Sequence, residues 1–248
     1  MKLLIDFGNT RLKWATLKEQ RLQAGGVFAH VGGALVGELR REWSGFTHVE
    51  AVLVASVVSV ASEAELEAFV HERFGLRPEF LRSPAVALGL RNAYVHPERL
   101  GIDRFLAMAA AYAERACARV LVSVGTAMTL DALDADGLHH GGLILASPRL
   151  MREALLAGTA RIGVSEGQYD EMPGNTADAV ASGALYAAAG AIERFCATAQ
   201  RRLGTAPAVL LTGGGAEELA PLIGPTERAH DLVLRGLALW AQAKPQAS

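Results

Sequence analysis

Cysteine is nearly absent from this 248-residue chain, with Cys117 and Cys196 its only two. Two isolated thiols make no disulfide framework, so they read as reduced and structural, and the expected location is cytoplasmic. Aromatic residues are scarce, at 6%, which leaves Ala, Leu, Val and Gly to fill the interior. Neither sign of charge dominates: the net charge is −2 and the isoelectric point near 6.4. That balance leaves no electrostatic footprint for nucleic acid or for an anionic membrane surface. No apolar run approaches the length of a membrane span. Met1-Lys2 leads into a strand-like run without the basic and apolar regions of a signal peptide, so none is expected. No Gly-x-Gly-x-x-Gly follows a strand, which speaks against a nicotinamide-binding protein. His139-His140 beside Gly141-Gly142 looks like half a metal site, but no further Cys or His cluster supports it, and a solvated hairpin is expected there.

What remains is 51% hydrophobic and rich in small residues, a composition that suits an α/β protein with close helix–sheet packing. The length allows one large domain or two modest ones. Residues Leu3 to Trp14 carry the most chemistry. The apolar run Leu3-Leu4-Ile5 predicts a buried strand that delivers Asp6 at its end. Gly8 permits a tight turn with no Cβ to block a ligand. Asn9 and Thr10 follow with side chains and N–H groups able to hold phosphate oxygens. Leu12 and Trp14 alternate with polar residues, predicting the return strand of a hairpin with Lys13 reaching back. A carboxylate for hydrated Mg²⁺, a Gly turn for phosphate and a nearby Lys outline a nucleoside triphosphate site. Taken alone, the same residues also fit an ordinary N-terminal hairpin.

Further along, a helix is expected over 34–42, a central strand over 49–58 with Ser56 near its end, and a helix over 61–74 stopped by Gly75. Pro78 to Leu81 reads as another strand, and residues 84–100 as irregular. Leu100-Gly101-Ile102-Asp103-Arg104 then opens an Ala-rich helix, placing Asp103 where the helix dipole favours its ionised form. The plain alternative is a helix cap. Val120 to Val124 is a strand followed by Gly125-Thr126-Ala127-Met128-Thr129-Leu130-Asp131, which repeats the logic of the first motif. Asp131 fits either an active-site supporting role or a hairpin position. Helices are expected over 150–156, 176–203 and 232–243, a loop over 163–175, and a last strand at 209–212 running into Gly213-Gly214-Gly215. Both halves begin with a strand, a Gly-hydroxyl turn and a hairpin. An internal duplication at about 115 residues follows, with lobes at 1–115 and 116–248 clamping a nucleotide in the cleft between them.

Several of these motifs, in order, resemble the type III pantothenate kinases of the acetate and sugar kinase/Hsp70/actin superfamily. Asp6-Phe7-Gly8-Asn9-Thr10 with Arg11, Leu12 and Lys13 is similar to that family's first phosphate motif. Tyr94, Pro97 and Gly101-Ile102-Asp103-Arg104 resemble its pantothenate and catalytic motif, and Gly125-Thr126-Ala127 with Thr129 and Asp131 its second phosphate motif. Gly141-Gly142, Thr159-Ala160, Asn175-Thr176 with Gly183, and Thr212-Gly213-Gly214-Gly215-Ala216 resemble later signatures. The resemblance implies two ribonuclease H-like lobes in an actin-like ATPase fold, and ATP-dependent phosphorylation of pantothenate to 4′-phosphopantothenate, the first step of coenzyme A synthesis. It implies Mg²⁺ and a monovalent cation, K⁺ or NH₄⁺. It also implies a homodimer in which the residue matching Thr176 reaches pantothenate bound by the other subunit.

On this resemblance Asp103 orients the acceptor hydroxyl and takes its proton, and Arg104 holds the pantothenate carboxylate or nearby polar groups. Asp6 binds Mg²⁺ through water, while the Gly8–Thr10 and Gly125–Thr129 turns hold phosphates. Two departures stand out. Ser123 stands where the family has a K⁺-ligating Asp, and Ala146-Ser147 where it has Pro-Gly. A kinase for another small alcohol and a nucleotide-binding accessory or regulatory protein are the competing readings.

Overall fold

The computed structural model describes residues 1–30, 32–159 and 167–243. The chain divides into two compact units, Met1–Arg115 with the C-terminal segment that begins at Asp231, and Ala116–His230. In the first, β1 (Lys2–Phe7), β2 (Arg11–Lys18), β3 (Arg21–Ala29), α1 (Leu35–Glu42), β4 (Ala51–Ser56), α2 (Val60–Phe74) and β5 (Glu79–Phe80) follow in order. A short hairpin of β6 (Val86–Ala87) and β7 (Leu90–Arg91) leads to α3 (Ile102–Glu114). The sheet order is β3-β2-β1-β4-β5, with β1 antiparallel to β2 and parallel to β4. Alternate residues of β1 and β4 (Leu3, Ile5, Phe7, Val52 and Val54) join Leu35, Leu39, Leu66 and Phe69 of α1 and α2 in one buried cluster. The helix expected over 61–74 forms because Ser59 caps it, its Oγ accepting from Ser62 N at 3.3 Å. Gly75 ends it in the left-handed conformation, φ 68°.

The second unit comprises β8 (Arg119–Val124), β9 (Ala127–Leu133), β10 (His139–Ala146), α4 (Pro148–Gly158), α5 (Thr176–Leu203), β11 (Ala208–Thr212), α6 (Ala216–Leu219) and β12 (Thr226–Arg228). Its sheet order, β10-β9-β8-β11-β12, repeats that of the first unit strand for strand: an antiparallel three-stranded run, then two parallel strands. Leu185, Ala188 and Ile192 of α5 pack on Val120, Val122, Met128 and Leu211. Ala160 of the Thr159-Ala160 signature, and residues 163–166 of the expected loop, lie outside the described residues.

The last helix, α7 (Leu232–Ala243), packs on α3, β1 and β4 of the first unit rather than with residues 116–230. A cut into 1–115 and 116–248 therefore misassigns it. Gly236 explains the fit, because a Cβ there would strike the backbone of Leu106 on α3. A third strand, β3, also stands where no element was expected. Its run is mostly exposed and interrupted by Gly25-Gly26, which hides the strand period. Those glycines lie under the Trp14 indole, which a Cβ at Gly25 would overlap.

Candidate active site

Asp6 lies one residue from the end of β1, opposite Lys13 on β2 and beside Ala55 on β4. The turn after it closes by Gly8 N donating to Arg11 O at 3.1 Å, and a Cβ on Gly8 would press on that carbonyl. Phe7 and Leu12 are core residues, so only their main chain is available to a ligand, whereas Asn9 and Arg11 are exposed. Burial pushes the Asp6 carboxyl up to about 7, Lys13 opposes that shift, and the carboxylates of Asp103 and Asp231 add to it. Two participants have no signature in the first motif. His30 Nε2 meets Gly8 O at 2.7 Å, with its ring edge-on to Phe7. Asp231, at φ 53°, lies 3.7 Å from Lys13 Nζ and opens α7, where Arg235 N donates to its carbonyl. An acidic residue just before an apolar helix was the available clue to Asp231. His30 is twenty-two residues from Gly8, and only the fold brings them together.

Asp103 stands in the first turn of α3, and Gly101 occupies the cap position with no side-chain cap. A Cβ at Gly101 would collide with Asp103 Oδ1, so glycine is what lets the carboxylate fold back over the helix start. Ile102 is buried. Arg104 is only 6% exposed and donates from Nη1 to the Tyr94 hydroxyl at 3.1 Å, its guanidinium 5.9 Å from the Tyr94 ring centroid. Tyr94 is held by Asn92, whose Oδ1 accepts from Tyr94 N at 3.0 Å and whose Nδ2 donates to the carbonyls of Pro84 and Pro97. One asparagine thus organises the irregular stretch. The first unit brings Asp6, Lys13, Asp103 and Asp231 into one electrostatic neighbourhood, with Arg104 next along the chain from Asp103 and Tyr94 hydrogen-bonded to Arg104.

In the second unit Gly125 N donates to Ala127 O at 2.9 Å, leaving Gly125 and Thr126 exposed at the turn. Ser147 Oγ donates to Thr126 O at 2.8 Å and accepts from Leu150 N at 3.2 Å, so it pins the turn and caps α4 together. Ser147 belongs to the Ala146-Ser147 departure from the family's Pro-Gly. Ser123 pairs in register with Thr129 on β9 and Thr212 on β11, which lines up three hydroxyls across neighbouring strands on one face. Gly213 and Gly215 are packed on Val124, and only Gly214 of the triplet has open space around its Cα. Thr176 is exposed at the first position of α5, beside its cap Asn175. His139 is not solvated: it is 1% exposed, with Nε2 2.9 Å from the buried Asp131 Oδ1. A bulge between His139 and Gly142 turns it inward, which makes Asp131 part of an interior pair. Among the described residues no three His, Cys, Asp or Glu side chains gather as a metal cluster.

Two units with the same strand order, each presenting a glycine turn after its first strand, define the actin-like ATPase fold with two ribonuclease H-like lobes. A solved structure from Sinorhizobium meliloti, provisionally assigned as a 2-dehydro-3-deoxygalactonokinase, shares that fold. The TM-score is 0.62 at 16% identity, over 98% of both chains. The family model described as type III pantothenate kinase matches residues 2–198. A type III pantothenate kinase of Stenotrophomonas maltophilia (strain K279a) is 42% identical over 98% of both chains. One of Xanthomonas oryzae pv. oryzae (strain PXO99A) is 45% identical over 97% of both. The chain belongs to the type III pantothenate kinase family.

Proposed function

We propose that this chain transfers the γ-phosphoryl group of ATP to the primary hydroxyl of pantothenate, giving 4′-phosphopantothenate and ADP. The observation that carries the reading is Asp103, folded over Gly101 at the start of α3 and close enough to Asp6 to raise its pKa. Phosphoryl transfer asks mainly for positioning and charge neutralisation. Asp103 orients the attacking hydroxyl and accepts its proton late in the transfer, and Arg104 with Tyr94 holds polar groups of the acceptor. The Gly8–Thr10 turn and Lys13 of the first unit, and the Gly125–Thr129 turn of the second, are the phosphate-binding elements. The carboxylate donor set around Asp6 suits Mg²⁺, which keeps most of its waters and takes one or two protein oxygens. When bound, the ion neutralises phosphate charge.

The hydroxyl row of Ser123, Thr129 and Thr212 offers neutral oxygens where relatives are expected to place a carboxylate, so a monovalent cation is held weakly if it binds there. Exposed Thr176 supports a homodimer that shares its active site. Among the described residues no helix is long and apolar enough to cross a membrane, and both cysteines are free, which supports a cytoplasmic site of action. Ser123 is the only hint of an accessory, non-enzymatic role, and retention of Asp6, Asp103 and both turns outweighs it. The test is a coupled ADP-release assay with pantothenate against a panel of other small alcohols. Pantothenate-dependent ADP release well above every other alcohol is expected, and equal or absent release overturns the assignment.

A further inference from the structure

The strand β3 delivers one residue to the first glycine turn. Its last pairs, Leu12 with Phe28 and Arg11 with Ala29, carry it level with that turn, so His30 follows directly alongside. Phe7, Leu12 and Phe28 line up across three strands in the buried cluster of the first unit. His30, two residues past Phe28, lies on the same side, and its ring meets Phe7 edge-on with centroids 4.9 Å apart. The alignment depends on a register shift of the β2–β3 pair between Lys13 and Ala15, where Gly25 and Gly26 leave room for the Trp14 indole. Without that shift the last residues of β3 would face the other side of the sheet.

His30 Nε2 lies 2.7 Å from Gly8 O, at the short end of the N–H···O range. A carbonyl only accepts, so Nε2 carries the hydrogen and donates it. The half-buried ring rests on the fully buried Phe7, which fixes the donor in place. Its acceptor belongs to the peptide linking Gly8 to Asn9. In a planar trans peptide the C=O and N–H point in opposite directions, so pinning Gly8 O to His30 turns Asn9 N–H away from His30. Asn9 is exposed, and its N–H makes no hydrogen bond among the described residues. Gly8 N donates to Arg11 O, which fixes only the preceding peptide. Gly8 has no Cβ to hinder rotation of the next one, and His30 supplies the missing restraint. With ATP as the donor read above, we propose that His30 is a positioning residue for phosphoryl transfer: it holds the Gly8–Asn9 peptide so that Asn9 N–H meets a phosphate oxygen of the nucleotide. Such outward N–H groups in a glycine turn form an anion-binding concavity.

The test separates the donor from the ring. His30→Phe keeps the ring without the donor, His30→Gln places an amide N–H at similar reach without the ring, and His30→Met has neither. KM for ATP, and Kd for Mg²⁺–ATP by calorimetry, should rise about tenfold in His30→Phe and His30→Met. His30→Gln should stay within about threefold of wild type, and KM for pantothenate should move less than about twofold in all three. Melting of the nucleotide-free protein should instead follow the ring, with His30→Phe nearest to wild type. Unchanged ATP constants in both donor-free variants overturn the assignment, as do ATP constants that follow the melting temperature. Failure of both donor-free variants to fold would make His30 a structural residue and overturn it too. Wild type that binds ATP but phosphorylates no pantothenate overturns the acceptor reading, while the Kd series still decides the role of His30.

Discussion

Asp6 holds its charge at a cost while no cation is present. Its carboxyl, raised to about 7, keeps a proton in the folded chain that an ordinary aspartate, at 3.8, has already released. The folded state therefore binds more protons between those values, and stability is greatest below the lower one and falls as pH rises towards the upper. Asp6→Asn removes that loss. It should melt higher than the nucleotide-free wild type at pH 8, by roughly 2–4 °C for each kcal/mol recovered, and show no Mg²⁺–ATP-dependent turnover. Melting curves from pH 4 to pH 8 check both the sign and the window, and a variant less stable than wild type at pH 8 contradicts the account. Asp103→Asn should fold and bind ATP but lose about 10²–10⁴ in kcat, the usual contribution of a positioned base. Retention of more than about a third of wild-type kcat removes Asp103 from the mechanism. Ser123→Asp places a full charge among neutral hydroxyls and should tighten activation by K⁺. The measurement is activity against K⁺ at constant ionic strength, and tight, saturable K⁺ activation of the wild type would make Ser123 irrelevant.

Elements show which glycines serve the chain and which serve a ligand. Gly213 has φ 92° and its missing Cβ would meet the Val124 backbone, whereas nothing lies within 4 Å of a Cβ on Gly214. Gly213→Ala should cost about 2–4 kcal/mol in urea unfolding and Gly214→Ala less than about 0.5 kcal/mol. Equal effects would mean that the loop is not clamped as described. Ser147 joins an element to a turn, so Ser147→Ala should lose about 1 kcal/mol as a cap. It should also raise KM for ATP, because the Gly125–Thr126 turn loses the hydrogen bond that Ser147 Oγ donates to Thr126 O. Strands and helices with a clean period were legible in the chain: Leu3 to Ile5, Val120 to Val124, and the helices over 61–74 and 176–203. The turns at Gly8 and Gly125 and the helix start at Gly101 were legible too, since they depend on local chemistry alone. β3 was not, because its glycines answer to Trp14 from another strand. Nor was His30, which takes its meaning from Gly8 twenty-two residues away, nor the inward turn of His139, which depends on a bulge in β10.

On the scale of the whole chain, two units share one strand order with little sequence in common, and α7 returns across the chain to complete the first of them. That return carries Asp231 to the Asp6 neighbourhood, so truncation before Asp231 should remove both the packing on α3 and one of the site's carboxylates. A shared active site makes its own prediction. Mixing inactive Asp103→Asn with inactive Thr176→Arg subunits should recover about a quarter of wild-type activity, since half the dimers carry one intact site. No recovery after demonstrated subunit exchange would put the site within one chain. The most direct measurement is transfer of label from γ-³²P-ATP to pantothenate by wild type and by Asp103→Asn, with the product identified by mass. The account predicts labelled 4′-phosphopantothenate from wild type and, at equal enzyme, at least about a hundredfold less from the variant. Absence of labelled product from folded, Mg²⁺-supplied wild type, or equal product from both proteins, would contradict it.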